Sequence, residues 1–308
     1  MSYAQGSVID AADYNGLVGS NSTTASTINY VWSTGNGQFG YGQTAVDAVT
    51  VAATVTATQW STMLNALNRS LQHQAGAAAS LGPLNYTAGS VITHFANVAT
   101  SVTTINTNNL NFNSTRGATT TGSNLDKVYN TEGSTMTHTI TVTFASADQA
   151  RYFFNAGGRL SLVASQAGDF EQNAKETNWR DLINAVGTIH LDQLTSTRTG
   201  TGETLTTNGS AIGYWDLTTS NQTLIRLTQD TAPYTANYID IFARVAGAAG
   251  SNGGLGTQVI FQIDYVDGSA DGGFNDGISG TVRNRIDIVK PEVTYLSDVW
   301  GSITVGGA

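Results

Sequence analysis

Residues 140–162 read ITVTFASADQARYFFNAGGRLSL, and two changes of period within them decide the fold class. Ile140, Val142 and Phe144 alternate with threonines, the period of a strand with one buried face. Ser146 stands three residues before Gln149, the spacing of a capping box, and predicts a short helix. Tyr152, Phe153 and Phe154 load that helix with aromatic surface, and Gly157 and Gly158 close it. Leu160 and Leu162 then resume the strand period. The unit is strand, helix, strand, and none of its residues has an evident catalytic task. It reads as a building block.

The rest of the C-terminal half repeats the strand signal. Alternating or β-branched runs fall at 137–144, 159–164, 188–191, 213–217, 223–227, 238–245, 259–266 and 281–289. Asn208-Gly209 predicts a tight turn between two of them. One further helix is expected at 178–186, with Trp179, Leu182, Ile183 and Val186 facing inward. The expected fold is mainly β: an antiparallel β-sandwich with short inserted helices over residues 136–308.

Residues 1–135 read differently, as a helical assembly region with an extended arm. Asp10 and Thr56 are helix caps, with Ile9 and Tyr14, then Val55 and Trp60, as hydrophobic staples. Trp60, Leu64, Leu67 and Leu71 lie on one face of the second helix, which Gly76 stops. A third helix is expected over 90–106, followed by a polar linker or long loop over 106–133. Between the first two helices, the Gly/Ser/Thr/Asn segment 19–50 carries Tyr30, Trp32, Phe39 and Tyr41. These rings fold back on the chain's own core or anchor an arm in a neighbouring subunit. The expected assembly contacts are Tyr14, Tyr30, Trp32, Phe39, Tyr41 and Trp60. Deletion of residues 1–50 is accordingly expected to leave a folded sandwich that no longer joins its assembly.

Composition favours assembly. Of 308 residues 40% are hydrophobic, yet only 11% are charged, less than half the usual share. Lys127, Lys175 and Lys290 are the only lysines. Thr, Ser, Asn and Gly supply the polar surface, which suits close contact between subunits because little charge must be desolvated. The net charge of −9, without a basic cluster, argues against nucleic acid or an anionic membrane as partner. The absence of cysteine removes disulfides and thiolate chemistry. The N-terminal residues lack a signal-peptide pattern, and no run reaches the roughly 20 apolar residues of a membrane span.

Candidate chemical sites are few. His73, His94, His138 and His190 show no metal-ligand spacing; His73 falls at a helix end, and His138 and His190 at ordinary strand-surface positions. Asp264, Asp267, Asp271 and Asp276 form the one acidic, glycine-rich stretch that could cage a cation, though a solvated hairpin loop is the simpler reading. Asp169, Glu171 and Glu176 precede a helix and read as first-turn charges rather than a glycosidase pair. Tyr214 and Trp215, with Tyr234 and Tyr238, make either a glycan platform or cross-strand core pairs. No catalytic residue, cofactor or resident metal is expected.

Three blocks resemble a family of tailed-bacteriophage virion proteins from phages of marine and freshwater bacteria. They are IDAADYNGL (9–17) with GQFGYGQ (37–43) and VTATQWSTMLNALNRSLQHQAG (55–76); THTITVTFASADQARYFFNAGGRLSL (137–162); and YIDIFARVAG (238–247) with GGLGTQVIFQIDYVDG (253–268). Residues 77–135 match loosely. The resemblance implies a structural component of the virion, a tail or neck appendage (fibre, whisker or collar) or else a capsid decoration protein. Its implied partners are further copies and other virion proteins, with a host-surface glycan as the alternative from another class. It marks Tyr152, Phe153, Phe154, Gly157 and Gly158 as a structural motif, read as a helix anchor in the sandwich.

Overall fold

The computed structural model describes residues 9–76, 81–91, 95–113, 115–129, 134–168, 170, 173–247, 256–269 and 278–307. Contacts divide the chain into two units. One comprises Met1–Gly117, Arg151–Gly157 and Pro291–Gly301; the other comprises Ala118–Ala150, Gly158–Lys290 and Ser302–Ala308.

The first unit is helical. In α1 (Ala11–Val18) the Asp10 carboxylate accepts from the Asp13 N–H at 2.9 Å, and Gly19 ends the helix. In α3 (Ala57–Ala75) the capping box is complete: Gln59 N–H donates to Thr56 Oγ1 at 3.2 Å, and Thr56 N–H donates to Gln59 Oε1 at 2.9 Å. Trp60, Met63, Leu64, Leu67 and Leu71 form its buried face against α2 (Ile28–Trp32) and α4 (Phe95–Thr107). Val98, Val102 and Ile105 supply the buried stripe of α4. Full burial of each such side chain contributes about 1.5–3 kcal/mol, so the facing stripes hold these helices together.

The second unit is a sandwich of two antiparallel sheets. One has the order β1-β11-β4-β5-β6, with β2 also on β11; the other has the order β12-β3-β10-β9-β8-β7. The first contains β1 (Thr119–Thr120), β2 (Leu125–Tyr129), β4 (Arg159–Gln166), β5 (Thr188–Leu191), β6 (Ser196–Arg198) and β11 (Gly280–Val289). The second contains β3 (Thr135–Phe144), β7 (Thr204–Asn208), β8 (Gln222–Thr228), β9 (Tyr238–Ala246), β10 (Gln258–Val266) and β12 (Ile303–Gly307). Along β3 the even positions from Met136 to Phe144 are buried and the odd ones are not, so the period-2 text maps directly onto a core face. Leu160 and Leu162 of β4 and Val282 and Ile286 of β11 face the same core from the other sheet. The helix α6 (Ala174–Val186) adds the fully buried Trp179, Leu182 and Ile183.

The fold class is the one expected; several local expectations are corrected. Segment 19–50 contains α2 and packs within its own unit, so it is not an extended arm. The linker at 106–133 holds β1 and β2, which pair with β11 and so place part of the N-terminal region, as drawn at 1–135, in the sandwich unit. Residues 213–217 are no strand: Tyr214–Asp216 is a single 3-10 turn that buries two adjacent rings. Asn208-Gly209 is no tight hairpin turn either, because β8 begins only at Gln222.

Candidate assembly surface

Of the RYFFNAGG residues, Arg151 to Asn155 sit on α5 (Ala147–Asn155), whose Gln149 N–H is capped by Ser146 Oγ at 3.1 Å, and Ala156, Gly157 and Gly158 follow its end. Arg151–Gly157 belongs to the helical unit, which corrects the reading of this motif as an anchor in the sandwich. Arg151 is 5% exposed, and its Nη1 donates to the carbonyls of Gly37 at 3.1 Å and Phe39 at 2.8 Å. Its Nη2 donates to the Thr34 carbonyl at 3.0 Å. Asn155, fully buried, donates to the carbonyls of Gly37 at 3.2 Å and Gly40 at 3.1 Å. A loop of residues 33–42 would otherwise bury carbonyls without donors, a cost that these two side chains remove.

Ring packing completes the pin. A Cβ at Gly42 would lie 2.4 Å from the Tyr152 ring, and its φ is +72°. Gly157, at φ +84°, leaves room for Phe112, whose ring would be 2.5 Å from a Cβ there. Phe153 and Phe154 are fully buried, edge to face at 5.1 Å. Gly158 falls in the other unit and leads into β4. Arg151 and Asn155 were present in the quoted motif, but polar residues on an aromatic helix carried no sequence signal for carbonyl capture.

The six aromatic residues expected to reach a neighbour are used within their own unit. Tyr14, Trp32, Tyr41 and Trp60 are buried, and Tyr30 stacks on Phe39 with 4.4 Å between centroids. The Tyr14 hydroxyl donates to the Gln59 carbonyl at 3.2 Å; burial, helped by the charge of Asp47, pushes its pKa up to about 12. The Tyr41 hydroxyl donates to the Asn109 carbonyl at 2.9 Å, and burial holds it protonated far above the usual phenol range. The Trp32 Nε1–H donates to the Thr44 carbonyl at 2.9 Å. Deleting residues 1–50 would therefore remove core side chains, and it is no clean test of an arm.

The histidines also differ from expectation. His73 is fully buried, its Nδ1 3.0 Å from Glu292 Oε1. Burial would raise Glu292, but hydrogen bonds from His73 and from the N–H groups of Tyr295 and Thr294 outweigh it and hold the carboxyl below its usual range. His138 is 2% exposed: its Nδ1 meets Asn284 Nδ2 at 2.9 Å, and Asn284 meets the Tyr265 hydroxyl at 3.1 Å. This polar bridge joins the two sheets. Burial, with the charge of Lys127, depresses the pKa of His138 against the opposing pull of Asp126. His190 Nδ1 lies 2.8 Å from Ser161 Oγ; His94 lies outside the described residues.

The acidic stretch is divided between structural tasks. Asp267 pairs with Lys175 Nζ at 2.8 Å, both side chains being completely buried. Asp264 accepts from Thr137 Oγ1 at 2.7 Å, whereas Asp271 and Asp276 lie outside the described residues. Glu176 holds the Ser279 N–H at 2.8 Å, and its own N–H bonds the Asn173 cap; Asp169 and Glu171 also lie outside the described residues. Among the described residues no three potential ligands converge on a metal position, and no helix is long and apolar enough to cross a membrane. Tyr214 and Trp215 are fully buried edge to face at 5.1 Å, so they offer no glycan platform. Tyr234 and Tyr238 are half-buried, and Arg226 lies over the Tyr238 ring at 4.3 Å.

The exposed residues include carboxylates such as Asp47, Asp126, Asp181 and Asp230 and the apolar Val51, Val128 and Val293, beside uncharged polar side chains and sheet-edge backbone. β7 and β12 are the two edges of one six-stranded sheet, and their sequences, TLTTN and ITVGG, contain no charge and no proline. Leu205 on β7 is a large apolar side chain left exposed. Such edges present unpaired N–H and C=O groups and are strand-pairing templates. No protein-family model, curated protein or solved structure matches the chain.

Proposed function

We propose that this chain is a structural component of a tailed-phage virion, a tail or neck appendage protein acting through assembly with further copies and other virion proteins. The observation that carries this reading is the pair of open, uncharged edges on an antiparallel sandwich whose surface is dominated by Thr, Asn, Ser and Gly. Such a surface joins neighbours through backbone pairing with little desolvation cost. The three resembling sequence blocks, spread through the chain in one order, support the same reading. The Lys175–Asp267 pair, closed off from solvent inside the sandwich unit, fits a structural task. Peptide mass spectrometry of gradient-purified particles tests the proposal. Recovery at a fixed stoichiometry through successive gradients supports it; loss of the chain on purification rejects it.

A further inference from the structure

Four arginines of the sandwich unit are each forked onto an aspartate by two hydrogen bonds: Arg159 on Asp192, Arg226 on Asp240, Arg283 on Asp126 and Arg285 on Asp287. Arg69 of the helical unit is anchored differently, and no carboxylate among the described residues forms an ion pair with it. Its Nε donates to the Tyr295 carbonyl at 2.6 Å, and its guanidinium carbon lies 5.4 Å from the centre of the Trp32 ring. The ring is itself fixed by the bond from Trp32 Nε1 to the Thr44 carbonyl. Tied at Nε and set over an indole, the guanidinium is held in place. Its Nη1 and Nη2 have no hydrogen-bond partner among the described residues. These two nitrogens are one edge of the fork, an edge that takes a carboxylate through two parallel bonds.

Arg69 lines an open cleft of about 310 Å³. Thr62, Asn65, Ala66 and Arg69 recur at helical spacing on α3 and make one wall, and Trp32 and Val46 stand on the other side. We propose that this cleft binds an acidic peptide segment of a partner protein, with a glutamate carboxylate on the Arg69 fork and the glutamate methylenes along Ala66 and Val46. An apolar floor with one fixed cation is the pattern of a site that takes a charged head on an apolar stem. The lining suits a peptide glutamate better than a sugar acid. The Thr62 hydroxyl and the Asn65 amide already donate to the Thr58 and Ser61 carbonyls of their own helix, which leaves few donors for a ring of hydroxyls. The net charge of −9 opposes anions at long range, but charges more than about 8–10 Å apart are screened at physiological ionic strength, so the contact is decided at Arg69 itself. The inference rests on the assembly reading for its partner and names one contact that the partner makes.

The test is a heteronuclear NMR titration of the full chain with N-acetylglutamate α-amide, whose one carboxylate is on the side chain. The Arg69 Nε–H and Trp32 Nε1–H resonances should shift saturably, with a Kd on the order of 1–10 mM for so small a probe. N-acetylglutamine α-amide should shift neither. Arg69→Gln should weaken binding about tenfold or more, read at Trp32. Asn65→Glu is the second variant: it sets a carboxylate one turn before Arg69 on α3, where it fills the fork from within and leaves the Tyr295 anchor in place. It too should weaken binding about tenfold or more, with no loss in thermal stability. A flat titration, an equal response to the glutamine probe, or undiminished binding in Asn65→Glu overturns the proposal. Tighter binding of glucuronate than of the glutamate probe overturns its assignment to a peptide. The titration uses the isolated chain, so its failure leaves the virion reading standing, and absence from particles leaves the site standing.

Discussion

Arg151→Ala removes the residue on which the fold of the 33–42 loop turns. The guanidinium makes at least three hydrogen bonds to the carbonyls of Thr34, Gly37 and Phe39, all within 3.1 Å, from a side chain that is 5% exposed. Each such bond is worth about 1–1.5 kcal/mol net, and the carbonyls left behind keep only part of their solvation, so the loss should be about 3–5 kcal/mol. Arg151→Lys should recover at most about a third of that, because one ammonium cannot reach three divergent carbonyls. Urea unfolding gives the total, and hydrogen exchange gives the place. The amides of Tyr41, Gly42 and Gln43, which bond to the carbonyls of Val31, Ser33 and Trp32, should lose protection while β3 and β10 keep theirs. A loss under about 1 kcal/mol with unchanged exchange at these amides would refute the pin.

Two further outcomes are expected. Asp267→Ala takes the carboxylate away from a completely buried ammonium and should cost about 3–5 kcal/mol in denaturant unfolding, whereas Lys175→Met combined with Asp267→Leu should recover most of it; equal losses in both would contradict a paired charge. His138 is held neutral in the fold, so the unfolded chain takes up its proton first as pH falls below about 6.5. Stability present above that value is therefore lost on acidification until the depressed folded pKa is passed. In thermal melts at successive pH values, the advantage of wild type over His138→Gln should shrink with falling pH; a constant gap would remove His138 from the acid response.

Much of the scaffold was legible in the text because period and capping are local. The Thr56 capping box and the alternations of β3, β10 and β11 each arise from neighbouring residues and survive into the fold. α2 escaped notice because five residues carry no period and Thr27 makes no side-chain cap bond. β7 and β12 escaped because edge strands of Thr and Gly have no buried face to mark them. The rings of Tyr14, Trp32, Tyr41 and Trp60 were visible as anchors but not what they anchor: burial within the chain and burial against a partner have the same sequence signature. Arg151, Lys175 and His138 were the least legible. A buried polar group is defined by partners far away in sequence, such as Phe39, Asp267 and Asn284.

The assembly account is tested most directly by gold-labelling a tagged copy of the chain on intact particles and locating the label by electron microscopy. Labels at one fixed site on the tail or neck, in constant number per particle, are the expected result. Labels spread over the capsid would move the chain to a decoration role, and unlabelled particles would contradict the account.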